Sequence, residues 1–142
     1  MVWGSIIRAW CRCQSGVRPI KFQVFEGGFF TGCFNNALAG VSSLKKLTEG
    51  VAEIQRMYVL PVFRGKGIGR AFVNRLIADA RMIGYRQLNL ERLEFLEAAK
   101  SLYRSVGFRE IDPYDDNSME AYQDAENLDK FYSITVFMEI NL

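Results

Sequence analysis

The chain has 142 residues, 49% hydrophobic and 24% charged, the composition of an ordinary folded domain rather than of a disordered or fibrous chain. It contains no histidine, which excludes imidazole-dependent hydrolysis and His-ligated metals and leaves Glu, Asp, Tyr, Cys, Lys or water to move protons. The net charge of +2 hides an asymmetry: residues 1–110 carry 17 Lys or Arg against 8 acids and residues 111–142 one Lys against 8 acids, so the body suits an anionic ligand and the tail a cationic one.

The length predicts one domain over residues 1–142. The apolar runs are broken well before the roughly 18 residues that a membrane span needs. The opening "MVWGSIIRAWCRCQSG" lacks the basic start and small-residue cleavage site of a signal peptide, which makes the cytoplasm the default expectation. Cys11, Cys13 and Cys33 are odd in number and have no zinc spacing, so they read as thiols with no metal site.

In chain order, Ser5–Arg12 and Ile20–Phe25 are candidate strands. Phe29–Phe34 and Leu38–Leu44 read as a hairpin joined by Asn35-Asn36, residues that tolerate a left-handed turn. A turn at Thr48-Glu49-Gly50 leads into a further strand, Val51–Val59. From Ile68 the period changes: Ile68, Phe72, Leu76, Ala80 and Ile83 form one stripe, and Gly84 follows as a cap, which predicts an amphipathic helix. Arg86–Leu90 reads as a strand, completing a parallel crossover. A second helix is expected from Leu93 to Val106, stopping at Gly107, followed by strands near Phe108–Ile111 and Tyr132–Ile140, the last from its alternation. The fold class is α+β: a mixed, mostly antiparallel sheet with a central parallel β-α-β crossover and flanking helices.

The junction between Val59 and Ile68 carries Arg64, Gly65, Lys66, Gly67, Ile68, Gly69 and Arg70. A helix N-terminus offers backbone N–H groups without internal partners, glycines bring those amides close to a ligand, and the cations add charge, so the loop reads as a phosphate or pyrophosphate site. It lacks the G-K-[ST] of a Walker loop and the G-x-G-x-x-G of a dinucleotide fold.

This loop matches [RQ]-x-x-G-x-[GA], and with the flanking "AEIQRMYVLPVFRGKGIGRAF" and "AAKSLYRSVGF" the chain from about Phe29 onward resembles the GNAT superfamily of N-acetyltransferases. The resemblance implies an acyltransferase that passes an acetyl group from acetyl-CoA to a primary amine, on a small molecule or a peptide, by direct attack in a ternary complex. It places the coenzyme pyrophosphate on Arg64–Arg70 and its pantetheine arm along the backbone of Met57, Tyr58 and Val59. It suggests Glu53 as the base that relieves the amine of its proton and Tyr103 as the acid that protonates the departing thiolate. Glu53 reads equally as a strand residue paired with Arg56 or Lys45, and Tyr103 as a half-buried helical tyrosine. Many members carry asparagine where this chain has Leu96.

Two regions depart from the family pattern. About 27 residues precede Gly28, where members have a strand and two helices, so the N-terminal helical region is shortened. That leaves an open acceptor pocket or one completed in a homodimer, with Trp3, Trp10, Phe22, Phe25, Phe29 and Phe30 as candidate contacts or as core. The connection Asp112–Phe131 is acidic and suits a cationic amine, such as a polyamine, an aminoglycoside or a lysine side chain, through Asp115 and Asp116. A non-catalytic coenzyme-binding or dimeric module of the same fold is the alternative reading. Nucleic-acid binding is not expected, because the cations lack an interleaved aromatic platform.

Overall fold

The computed structural model describes residues 20–25, 28–114, 124 and 126–142. The candidate strand Ser5–Arg12, the aromatics Trp3 and Trp10, and Asp115, Asp116 and Glu120 of the acidic connection lie outside them. Among the described residues no helix is long and apolar enough to cross a membrane.

Among the described residues, seven strands form one sheet in the order β1-β2-β3-β4-β5-β7-β6. Strands β1 (Ile20–Phe25), β2 (Phe29–Phe34), β3 (Ala37–Thr48) and β4 (Val51–Val59) make an antiparallel meander. Asn35 and Asn36 take φ of 49° and 63° in the β2–β3 turn, the left-handed pair that this hairpin type requires. Helix α1 (Ile68–Ile83) then crosses over to β5 (Gln87–Leu93), which pairs parallel to β4. Helix α2 (Glu97–Val106), β6 (Arg109–Ile111), helix α3 (Leu128–Ile134) and β7 (Thr135–Asn141) complete the described chain.

Four of the five residues of the expected α1 stripe, Ile68, Phe72, Leu76 and Ala80, pack with Val73, Ile54, Leu88, Leu90 and Met138 in the core, whereas the fifth, Ile83 at the helix end, is 65% exposed. Glycines at two facing strand positions let the helix sit close. A Cβ on Gly32 would lie 2.7 Å from the Phe72 ring, and one on Gly40 2.9 Å from it and 2.6 Å from the Tyr58 carbonyl. Burying a side chain such as Phe72, which is wholly inaccessible, contributes on the order of 1.5–3 kcal/mol.

Three expectations are corrected. The strand expected over Tyr132–Ile140 is helix α3 as far as Ile134; alternation resumes only from Thr135, and Phe131 and Tyr132 fold back onto Phe137 with ring centroids 6.4 and 5.9 Å away. The second helix begins at Glu97, because Leu93 remains in β5 opposite Thr135 and Leu96 closes a turn onto the Leu93 carbonyl. Cys33, read as a thiol, is disulfide-bonded, with its partner outside the described residues; sequence spacing alone does not reveal which cysteines meet in space.

Candidate active site

Strands β4 and β5 stay paired only from Val51↔Gln87 to Ile54↔Leu90, although β4 runs on to Val59 and β5 to Leu93. The cause is a β-bulge. The β3–β4 register passes from Val41↔Tyr58 to Ser43↔Gln55, so Arg56 and Met57 together oppose Ser42, and Arg56 takes a φ of 52°. A bulge bends its strand and increases the local twist. The hydroxyls of Ser42 and Ser43 both donate to the Gln55 carbonyl at 3.3 Å and hold the bend. Past Ile54, the β5-facing edge of β4, from Gln55 to Val59, therefore has no described strand against it.

The glycine loop follows this open edge. Gly65 and Gly67 have φ of 75° and 76°, and a Cβ on either would meet nothing within 4 Å. This is a cradle that side chains would fill. Gly67 caps α1 without a side chain of its own, so the amides of the first turn, Ile68 to Arg70, have no intrahelical acceptor and no acid nearby in the turn. The arginines at the two ends brace the loop. Arg64 donates from Nε to the Val59 carbonyl at 3.0 Å and lays its guanidinium 5.3 Å from the centre of the Tyr58 ring. Arg70 donates to Ser105 Oγ of α2 at 2.6 Å. The residues present thus fit a phosphate-bearing ligand.

A cavity of about 530 Å3 occupies the gap between the splayed strands, bordered by Met57, Leu96 and Tyr103 on one side and Lys45, Gln55 and Glu91 on the other. Tyr103 is 6% exposed; its ring stacks edge-on against Phe108 at 5.6 Å, and its hydroxyl lies 3.8 Å from Met57 Sδ. Burial pushes its pKa up to about 12, opposed in part by Arg92. The phenol therefore keeps its proton at neutral pH.

Glu53 projects from the opposite face of the sheet to Ala52 and Ile54 and is wholly buried. Neither Lys45 nor Arg56 is its hydrogen-bond partner. Gln55 Nε2 donates to its Oε1 at 2.7 Å, and the Tyr114 hydroxyl donates to its Oε2 at 2.7 Å. Burial, then the bond to Glu53, drives the Tyr114 pKa far upward.

Glu91 was missed by the sequence reading. It stands on β5 two residues beyond Asn89, the register partner of Glu53, on the same face of the sheet. Both its carboxylate oxygens are buried, and no described residue donates to them. Burial, reinforced by the nearby charge of Glu53, raises its pKa to about 7. A signal existed: Gln87, Asn89 and Glu91 put polar residues at alternate positions of a strand flanked on both edges, where apolar residues are the rule.

This architecture has known counterparts. The family model for the acetyltransferase (GNAT) family matches residues 5–108. Over 73 residues the chain is 36% identical to an uncharacterized N-acetyltransferase of Escherichia coli, covering 51% of this chain and 44% of that protein. Over 74 residues it is 34% identical to an N-alpha-acetyltransferase of Mycobacterium tuberculosis, covering 51% and 44%. An acetyltransferase of Bacillus subtilis solved in complex with CoA superposes with a TM-score of 0.63 at 25% identity, over 80% of this chain and 76% of that one. The chain thus spans less than half the length of the two curated relatives. It belongs to the GNAT acetyltransferase family.

Proposed function

We propose that the chain transfers an acetyl group from acetyl-CoA to a primary amine by direct attack in a ternary complex. The observation that carries this reading is the cavity between the splayed strands, which joins Tyr103 and the edge leading to the glycine loop with the carboxylate of Glu91, to which no described residue donates. The CoA complex of the Bacillus subtilis relative and the name of the Mycobacterium tuberculosis one support donor and reaction class.

Acetyl-CoA supplies an activated thioester. The amides of Gly65 to Arg70 and the Lys66 ammonium hold its phosphates, and the open backbone edge of Met57, Tyr58 and Val59 orients its arm. An amine with a pKa near 10 is free in only about one part in a thousand at neutral pH, so it must lose a proton to react. Glu91, with a pKa of about 7, is better matched to that proton than an ordinary carboxylate is. Glu53, whose oxygens already accept from Gln55 and Tyr114, acts from behind as the fixed charge that helps to keep Glu91 basic. Tyr103, buried and protonated, donates to the thiolate that leaves.

Calorimetric titration with acetyl-CoA and a thiol-release assay with a panel of primary amines test this. The expected result is coenzyme binding that weakens in Lys66→Ala, with turnover that falls about 10²–10⁴-fold in Glu91→Gln while coenzyme affinity is retained. Coenzyme binding without thiol release from any amine would establish a binding module instead.

A further inference from the structure

A second cavity, of about 450 Å3, lies on the sheet face opposite the core helices and shares Glu91 and Arg92 with the first. Its walls are Leu93 of β5, Phe131 and Ile134 of α3, and Thr135 of β7. Glu91 pairs with Phe137 and Leu93 with Thr135, so Glu91 and Thr135 are diagonal neighbours on one face of adjacent strands. The Thr135 hydroxyl, like the Glu91 carboxylate, is buried without a hydrogen-bond partner among the described residues. Two orphaned polar groups therefore border the same cavity. Leaving such groups unsatisfied is unfavourable, more so for a charge, and both can accept from a group rich in donors. An ammonium has three donors and no acceptor.

The rest of the wall is mixed: Leu93, Phe131 and Ile134 are apolar, and Asn127, Arg92 and Lys130 are polar or charged. Leu93 and Ile134 are 36% and 37% exposed, which leaves part of each side chain open to a ligand. Besides Glu91, the charged side chains lining this cavity are cations, Arg92 and Lys130. Arg92 is committed to Glu110, with Nη2 at 3.2 Å from its carboxylate, and to the Leu93 and Glu94 carbonyls. A second positive charge on the ligand would face these cations.

We propose that this cavity is the acceptor site and that it selects a primary amine with an apolar body a few bonds from the nitrogen, the ammonium on Glu91 and Thr135 and the body against Leu93, Phe131 and Ile134. An arylalkylamine and the first residue of a peptide with a large apolar side chain share that chemistry; a polyamine does not. This rests on the acetyltransferase reading above. It replaces a charge-only account of the acceptor by one in which the anion is a single buried carboxylate and most of the contact is apolar.

The test compares kcat/KM for phenethylamine, a phenylalanyl dipeptide amide and spermidine, with acetyl-CoA affinity measured by calorimetry on the same preparations. The expected result is at least a tenfold preference for phenethylamine or the dipeptide amide over spermidine, the two apolar acceptors telling a small molecule from a chain end. Ile134→Asp, at a partly exposed helix end, is expected to lower kcat/KM for the preferred acceptor about tenfold without changing coenzyme affinity. A preference for spermidine, or an Ile134→Asp variant that treats the apolar acceptors as the parent does, would overturn the inference and leave acetyl transfer standing. Loss of coenzyme binding in the parent protein would overturn both.

Discussion

Tyr114 donates its phenolic hydrogen to Glu53 Oε2 at 2.7 Å, so a residue just after β6 and a carboxylate on β4, 61 positions apart, are held together on the sheet face that also carries Glu91. Gln55 is the other described donor to a carboxylate that water does not reach. Tyr114→Phe removes one donor and keeps the ring, which sits 5.3 Å from that of Phe137. The deprived carboxylate is expected to cost about 1–3 kcal/mol of stability, read as a lower denaturation midpoint. A midpoint within error of the parent would show that another group satisfies Glu53.

Glu91 makes stability depend on pH in an unusual sense. Its folded pKa of about 7 lies above the 4.5 of the free side chain, so between those values the folded state binds the extra proton. Its contribution is full below about pH 4.5 and is lost as the pH rises through 7, the reverse of a salt-bridged carboxylate. The parent protein is therefore expected to lose stability relative to Glu91→Gln between pH 5 and 8, measured as the difference between their urea midpoints. A constant difference would mean that Glu91 titrates normally. If Glu91 is the base, kcat/KM should rise with pH as Glu91 loses its proton; Glu53→Gln removes the secondary cause of the shift and leaves burial, the primary one, so that rise should move to lower pH without reaching 4.5.

The parts that could be read from the chain are those settled by neighbours in sequence. The Asn35-Asn36 turn, the α1 stripe with its Gly84 cap and the glycine cradle at 65–69 depend on spacings of a few residues, and they lie where expected. What escaped depends on distant partners. The bulge at Arg56 exists only against Ser42 of β3, and the Glu53 network requires Tyr114. Glu91 looks like one charge among several in "LNLERLEFLE" until β7 and the splay of β4 enclose it. The α3 segment was misread because its alternation at even positions satisfies a strand pattern, while its packing of Phe131 and Tyr132 onto Phe137 is tertiary.

The glycine cradle can be tested with a matched control. Gly67 and Gly84 both have left-handed φ, 76° and 103°, and in both a Cβ would meet nothing within 4 Å. Either alanine substitution should cost about 1–2 kcal/mol of backbone strain. Only at Gly67 does the added methyl enter the space where a phosphate would approach the amides. Gly67→Ala should therefore raise the acetyl-CoA dissociation constant about tenfold or more, and Gly84→Ala should not. Equal effects on affinity would remove the loop from the binding site and leave a stability effect alone.

Tyr103→Phe separates a chemical role from a packing one. The ring holds its place against Phe108, and the hydroxyl touches Met57 Sδ at 3.8 Å, too weak a contact to matter much to folding. Removing the oxygen strands no strong hydrogen-bond partner and should change stability by about 1 kcal/mol or less. If Tyr103 protonates the leaving thiolate, kcat should fall about 10²-fold or more while coenzyme affinity is kept. Because burial holds its pKa at about 12, the loss should be the same at pH 6 and pH 9. A deficit that grows with pH would instead indicate a phenolate, and an unchanged kcat would make Tyr103 a core aromatic that happens to border the cavity.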